Sequence, residues 1–343
     1  MDPPPLRTGT RATVEVIPHL DDVDGSLLGV VLIKQRFVAS RRGEVSRASG
    51  ATVHVADEPW DPDAPETSSI RFPTDLCTRK PSTDVLVAGS AVAPYREAVR
   101  SLDVHVRVGP VQKSLRVFGP RVWYKGGIGK MVLTDPEPFE AVAVRWEAAW
   151  GGSDYETDPE QPLEEPRNPN GCGVVRDIEE LEGKLGPQVE DPNELIKSQR
   201  TRPSPAGLGA IGRHWVPRRQ YAGTCDAQWM EERMPLLPLD FDPRFYQCAP
   251  PDQITATPLR GGERVEVAGM HEEGPFAFDL PRLRFFVGLQ TTDALTEHPP
   301  QLDTVLIEPN ERAATLTWRS AVKLPRRAAD VRFVQVHEKE RVR

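Results

Sequence analysis

The chain has 343 residues, of which 38% are hydrophobic and 27% charged, with 43 basic against 51 acidic side chains. That balance marks a water-soluble globular protein and excludes a disordered or membrane-spanning one. A net charge of −8 with no basic stripe also argues against a nucleic-acid partner.

Met1-Asp2-Pro3-Pro4-Pro5 has neither the basic flank nor the apolar segment of a secretory signal. The longest apolar run, Leu27 to Ile33, falls far short of the roughly 20 residues a spanning helix needs. No membrane is therefore expected, and the expected address is the cytoplasm. Proline then sets the fold class. Its 35 occurrences are roughly double the usual ~5%. Each one removes a backbone donor and fixes φ, so long helices are disfavoured and short strands joined by turns are favoured.

In chain order, apolar residues at a spacing of two predict strands at Val14/Val16, Val53/Val55, Val85/Val87, Val104/Val106/Val108 and Leu115/Val117. Asp24-Gly25 and Arg42-Gly43 read as turns between such runs. Gly126-Gly127-Ile128-Gly129-Lys130 is glycine-rich but too short for a phosphate loop, and reads as a β-turn. Helix signals are few: a short acidic helix over 177–185, and one or two turns capped by Asp226 and ended by Pro235. Strand spacing returns at Val265/Val267, Phe276/Phe278, Leu283/Phe285/Val287/Leu289, Val305/Ile307 and Leu316/Trp318.

The expected fold is mainly β, with antiparallel strands in a sandwich-like core. Residues 1–150 form its strand-rich first part and residues 256–343 return to strands, ending in a basic tail. Residues 151–255 are rich in Pro, Gly and charge, and are expected to pack as an ordered, loop-built layer within one continuous domain. A structureless loop of that length is abnormal, and Trp215, Trp229, Phe241 and Phe245 are apolar anchors that a linker has no use for. The first three are expected to be largely buried.

Charge is uneven. Residues 151–200 hold 13 acidic and 5 basic side chains, whereas Arg319 to Arg343 hold 8 basic and 3 acidic. Both patterns suit solvated faces, and both suit the steering of a charged partner.

The usual chemical constellations are missing. Cys77, Cys172, Cys225 and Cys248 are scattered and are expected to be free thiols. The seven histidines are isolated, with no C-x-x-C or H-E-x-x-H, so no metal or other cofactor is expected. Neither G-x-S-x-G nor a nucleotide-binding glycine motif occurs. Asp154, Glu156, Asp158, Glu160 and Glu165 have the spacing of a calcium loop, but Pro159 stands where such a loop needs glycine at φ > 0. A calcium site of another geometry stays open at 154–165, and no catalytic residue is nominated.

Several ordered segments carry a resemblance. They run from Ala56-Asp57-Glu58-Pro59-Trp60 through Thr74-Asp75-Leu76, Lys80-Pro81 and Thr83-Asp84-Val85-Leu86-Val87-Ala88-Gly89 to Ala149-Trp150-Gly151-Gly152 and Asn168-Pro169. Pro205-Ala206-Gly207-Leu208-Gly209-Ala210-Ile211 follows, then Trp215-Val216-Pro217-Arg218, Gly223-Thr224-Cys225-Asp226 and Trp229. Asp240-Phe241-Asp242, Ala249-Pro250-Pro251-Asp252-Gln253, Asp303-Thr304-Val305 and Trp318-Arg319 complete the series. Together they resemble the bacterial family known as domain of unknown function twenty-one sixty-nine, which is found beside type VI secretion spike genes. Cys225 departs from the family's usual aromatic, Trp150 from its phenylalanine, and Gly119-Pro120-Arg121 from its G-D-R.

The resemblance implies a cytoplasmic adaptor or chaperone that binds a toxic effector and helps load it onto a VgrG or PAAR spike protein. It implies no catalytic residues. Rigid aromatics and prolines beside fixed charges make good interface anchors, so the candidate protein-binding residues are Trp215, Arg218, Trp229, Asp240, Phe241, Asp242, Pro250, Pro251, Asp252 and Gln253. The plainer account of the same motifs is turns that hold the middle layer to the β core. Two other functions compete. One is a carboxylate-dependent glycan or cell-wall hydrolase, which needs two carboxyl groups about 5–10 Å apart in an open groove. The other is a structural component of the spike or baseplate.

Overall fold

In the computed structural model, which describes residues 3–127 and 129–339, the largest sheet has six strands. Its order across the sheet is Thr13–Leu20, Leu27–Ala39, Ala313–Lys323, Gln301–Glu308 and Asp84–Val87, with Val45–Ala48 also paired to Leu27–Ala39. Every pairing is antiparallel except that of Asp84–Val87 with Gln301–Glu308. The two turns foreseen at Asp24-Gly25 and Arg42-Gly43 join these strands, and each glycine takes the positive φ its turn requires, 66° and 82°.

One face of this sheet forms the main core. Val31, Ile33, Phe37, Leu316, Trp318 and Ile307 meet the apolar faces of two further sheets there. One sheet has five strands, in the order Val189–Glu190, Val111–Phe118, Ser101–Val108, Arg264–Ala268 and Phe276–Asp279. The other has four: Leu6–Gly9, Val331–Glu338, Phe285–Thr291 and Leu295–Glu297. The mainly β, predominantly antiparallel architecture is as expected. The longest strand has thirteen residues and the longest α-helix, Ala227–Glu232, only six. Asp226 caps that helix by accepting from the Trp229 amide at 2.8 Å.

Two local expectations differ. Val53 and Val55 are not in a strand: two residues at the right spacing carry too little signal, and Val55 is exposed. The acidic stretch at 177–185 makes only the 3₁₀ turn Ile178–Leu181 before Gly183 and Gly186 release the chain. Within the C-terminal basic stretch, Val331–Glu338 is a central strand of the four-stranded sheet. Residues 340–343, with Arg341 and Arg343, lie outside the described residues, as do Met1 and Asp2 at the other end. The Gly126–Lys130 run closes a hairpin between Trp123–Lys125 and Met131–Leu133, with Gly126 donating to the Lys130 carbonyl at 2.8 Å. Ile128 within it lies outside the described residues.

The second face of the six-stranded sheet is covered by chain from 70–82, 205–215 and 246–256. Leu86 and Leu306 pack there against Ala210, Cys248 and Ala249.

Candidate protein-binding surface

Beneath the loop layer, the covered face of the sheet carries charge. The strand registers place Lys34, Thr317, Thr304 and Asp84 in one row across four strands. Residues from the covering loops complete the row. Lys34 Nζ reaches Asp75 at 2.7 Å, and Lys80 Nζ reaches Asp84 at 2.8 Å and Thr304 Oγ1 at 2.9 Å. Alongside, Arg319 Nε meets Asp303 at 2.5 Å, while its Nη1 donates to the carbonyls of Asp75 and Cys77 at 2.7 and 2.9 Å.

Three cations and three carboxylates thus balance, and all six side chains are buried. Charges removed from water persist only when paired and hydrogen-bonded in this way. Burial is the largest single influence on the Lys80 ammonium and opposes it, but Asp84 together with its other neighbours outweighs burial and raises the lysine pKa. Burial also pushes the Cys248 thiol, 3.8 Å from Lys80 Nζ, up to about 12. A lysine held as ammonium and a thiol held protonated offer neither nucleophile nor base. The network is therefore a clamp between sheet and layer, although a cleft of about 300 Å³ reaches Lys80, Asp303 and Arg319.

Four of the candidate residues belong to the same scaffold. Trp215 is buried, edge-on to Trp146 with centroids 5.5 Å apart. Arg218 is buried without a carboxylate among the described residues, and its guanidinium donates to the carbonyls of Ile211 (2.9 Å) and Phe245 (3.0 and 3.1 Å). Burial lowers its pKa from the ordinary value. Gln253 Nε2 ties the layer to the edge strand through the carbonyls of Val85 and Leu208, at 2.8 and 2.9 Å. Pro250 is buried beside it. For these four, the plainer account of the motifs as fasteners holds.

The other six reach the surface. Asp240 is exposed and accepts from the Thr224 amide and hydroxyl at 2.9 and 2.8 Å, which lowers its pKa. Asp242 pairs with Arg244, which holds its carboxyl below the usual range. Phe241 stands 5.3 Å from Tyr246 and 5.8 Å from Phe245, but is only half-buried. Pro251 and Asp252 are exposed, with Asp252 paired to Lys113 at 2.8 Å. Trp229 is half-buried, its Nε1 donating to the Leu236 carbonyl at 2.8 Å. Trp229 and Phe241 are thus covered over most of their surface but less enclosed than Trp215, because both sit on the outer skin of the layer and not at its seam with the sheet.

That skin carries a feature that sequence reasoning missed. Arg233 donates to the Val23 carbonyl at 3.0 Å, and Leu236 packs over Gly25, so segment 226–239 docks on the turn at 21–25. Between them these two segments present Val23, Met230, Met234 and Leu239, which are 61, 62, 61 and 84% exposed. No local spacing marked it, since Met234 lies beyond the helix Ala227–Glu232 that carries Met230. Flexible thioether side chains conform to varied partners, and exposed apolar groups gathered in one place mark association sites.

The carboxylates at 154–165 do not converge. Asp154 pairs with Arg176 at 2.9 Å, Glu165 with Arg167 at 2.7 Å, and Asp158 accepts from the amides of Glu160 and Gln161. Hydrogen bonds from Thr157, with Arg176 adding to them, hold Asp154 down at about 2. All four cysteines are free, and no described helix is long and apolar enough to cross a membrane.

Comparison with known proteins gives one match. A family model described as "Uncharacterized protein conserved in bacteria (DUF2169)" fits residues 24–319. No curated protein and no solved structure matches.

Proposed function

The chain belongs to the DUF2169 family of bacterial proteins, and from that premise we propose that it is an adaptor or chaperone of type VI secretion, binding a toxic effector for loading onto a VgrG or PAAR spike protein. The observation that carries this reading is the exposure of Val23, Met230, Met234 and Leu239 on two adjoining segments whose backbones are tied together through Arg233. A partner that docks there does not have to order the loops it touches, so little conformational entropy is lost. Arg218, Gln253 and the buried ion pairs supply that rigidity from below.

The test is co-expression with a catalytically inactive effector encoded beside this gene, followed by affinity capture. Retention of the effector, and a fall in its abundance or secretion when this protein is omitted, is the expected result. Failure to retain any neighbouring effector or spike protein, together with turnover of a glycan, assigns the protein to the hydrolases instead.

A further inference from the structure

A groove of about 1500 Å³ lies on the side of the six-stranded sheet away from the loop layer. Its floor is apolar, built from Trp318, Phe285, Leu302 and Leu259. Its rim is cationic: Arg260, Arg282, Arg284 and Lys339 are all exposed. Among the described residues only Lys339 has a carboxylate partner, Glu297 at 2.7 Å.

Glu263 is the one carboxylate that lines the groove. Its Oε1 accepts from the Arg260 amide at 2.8 Å, whereas its Oε2 is buried and has no hydrogen-bond partner among the described residues.

We infer that this groove takes an extended acidic peptide segment with interspersed apolar side chains, and, on the adaptor reading above, that the segment belongs to the client. Three requirements agree. Small-molecule sites occupy roughly 300–1,000 Å³, so the groove is of a size for a length of chain. Carboxylates of the segment answer the unpaired arginines in the forked geometry that guanidinium favours. Its apolar side chains enter over Trp318 and Phe285.

Such a groove places a second binding surface on the opposite side of the sheet from Met230 and Met234. The protein is then able to hold two partner elements at once.

Fluorescence anisotropy tests the assignment. The probe is a fluorescein-labelled peptide, about ten residues of Asp, Glu and Pro carrying one Leu and one Phe, long enough to line the groove when extended. Saturable binding that weakens with salt, and falls at least tenfold in the Arg282→Glu/Arg284→Glu protein, is the expected result. An unchanged melting temperature of the variant confirms that the loss is local. Should charge reversal unfold the protein, Arg282→Ala/Arg284→Ala gives the same comparison. No saturable binding, equal binding of the matching lysine peptide, equal binding by the variant, or displacement by oligothymidylate at the same concentration each overturns the assignment. Capturing the effector with both proteins separates this claim from the adaptor reading. Equal retention by wild type and variant overturns the groove and leaves the adaptor standing, whereas retention by neither, with the peptide still bound, overturns the adaptor alone.

Discussion

Trp318 and Arg319 are consecutive residues that fasten opposite faces of one sheet. Trp318 enters the main core edge-on to Phe285, with centroids 5.0 Å apart, and Arg319 turns to the other face to meet Asp303 at 2.5 Å. Strand alternation sends successive side chains to opposite faces, so a single dipeptide joins the sandwich on one side and the loop layer on the other.

The first prediction concerns Arg319. Its replacement by methionine leaves Asp303 buried without a counter-ion, which typically costs ~3–5 kcal/mol. The paired change Arg319→Met/Asp303→Leu should recover part of that loss, since it removes the stranded charge. Recovery stays incomplete because the carbonyls of Asp75 and Cys77 still lose a donor. Urea unfolding midpoints of the two variants check the order; a single variant as stable as wild type contradicts it.

The tryptophans of the middle layer are predicted to differ. Trp215→Ala removes a buried ring packed on Trp146 and should cost ~3–5 kcal/mol. Trp229→Ala removes a half-buried ring and one hydrogen bond to Leu236, so ~1–2 kcal/mol is expected. Equal losses would mean that segment 226–239 is as deeply integrated as the seam at Trp215.

How far the sequence foretold these arrangements depends on the distance between partners. Alternation within a strand is local, so most strands and both turns of the main sheet were readable in advance. Val53 and Val55 misled because their spacing had no further apolar residue behind it. The motifs pointed to Asp75, Lys80, Asp84, Asp303 and Arg319 one segment at a time. What joins them is not local: Asp303 and Arg319 meet because adjacent strands carry them, and Lys34 lies 41 residues from Asp75. Lys34 follows an apolar run that gives no hint of a buried charge. The groove at Trp318 draws on five separate stretches of chain, and the exposed methionines are ordinary residues until the fold leaves them uncovered.

Acid should weaken the fold before its carboxylates titrate. Burial lowers the pKa of His298 below its ordinary 6.5, and burial is likewise the largest cause of the lowering at His214 and His271. The unfolded chain therefore takes up these protons first. Stability begins to fall as pH drops through about 6.5 and goes on falling until the folded histidines also protonate. The melting temperature is expected to decline from pH 7 to pH 5, and His298→Gln, which cannot titrate, should make the decline shallower. A slope unchanged in that variant means that His298 does not contribute.

The last prediction separates a docking surface from a structural one at Met230 and Met234. Both side chains are more than half exposed, so Met230→Lys/Met234→Lys should alter the protein's own stability by no more than ~0.5 kcal/mol per site. A client that binds only the folded protein raises its stability by RT ln(1 + [L]/Kd), ~2.7 kcal/mol at a hundredfold excess over Kd. The wild type should thus melt at a higher temperature with the inactive effector present. The double variant should melt at the wild-type temperature alone and gain little from the effector, because two ammonium groups in a buried apolar contact are costly to desolvate. An effector-induced shift of the same size in both proteins would move the client contact away from this layer. A lowered melting temperature without effector would instead make the methionines part of the scaffold.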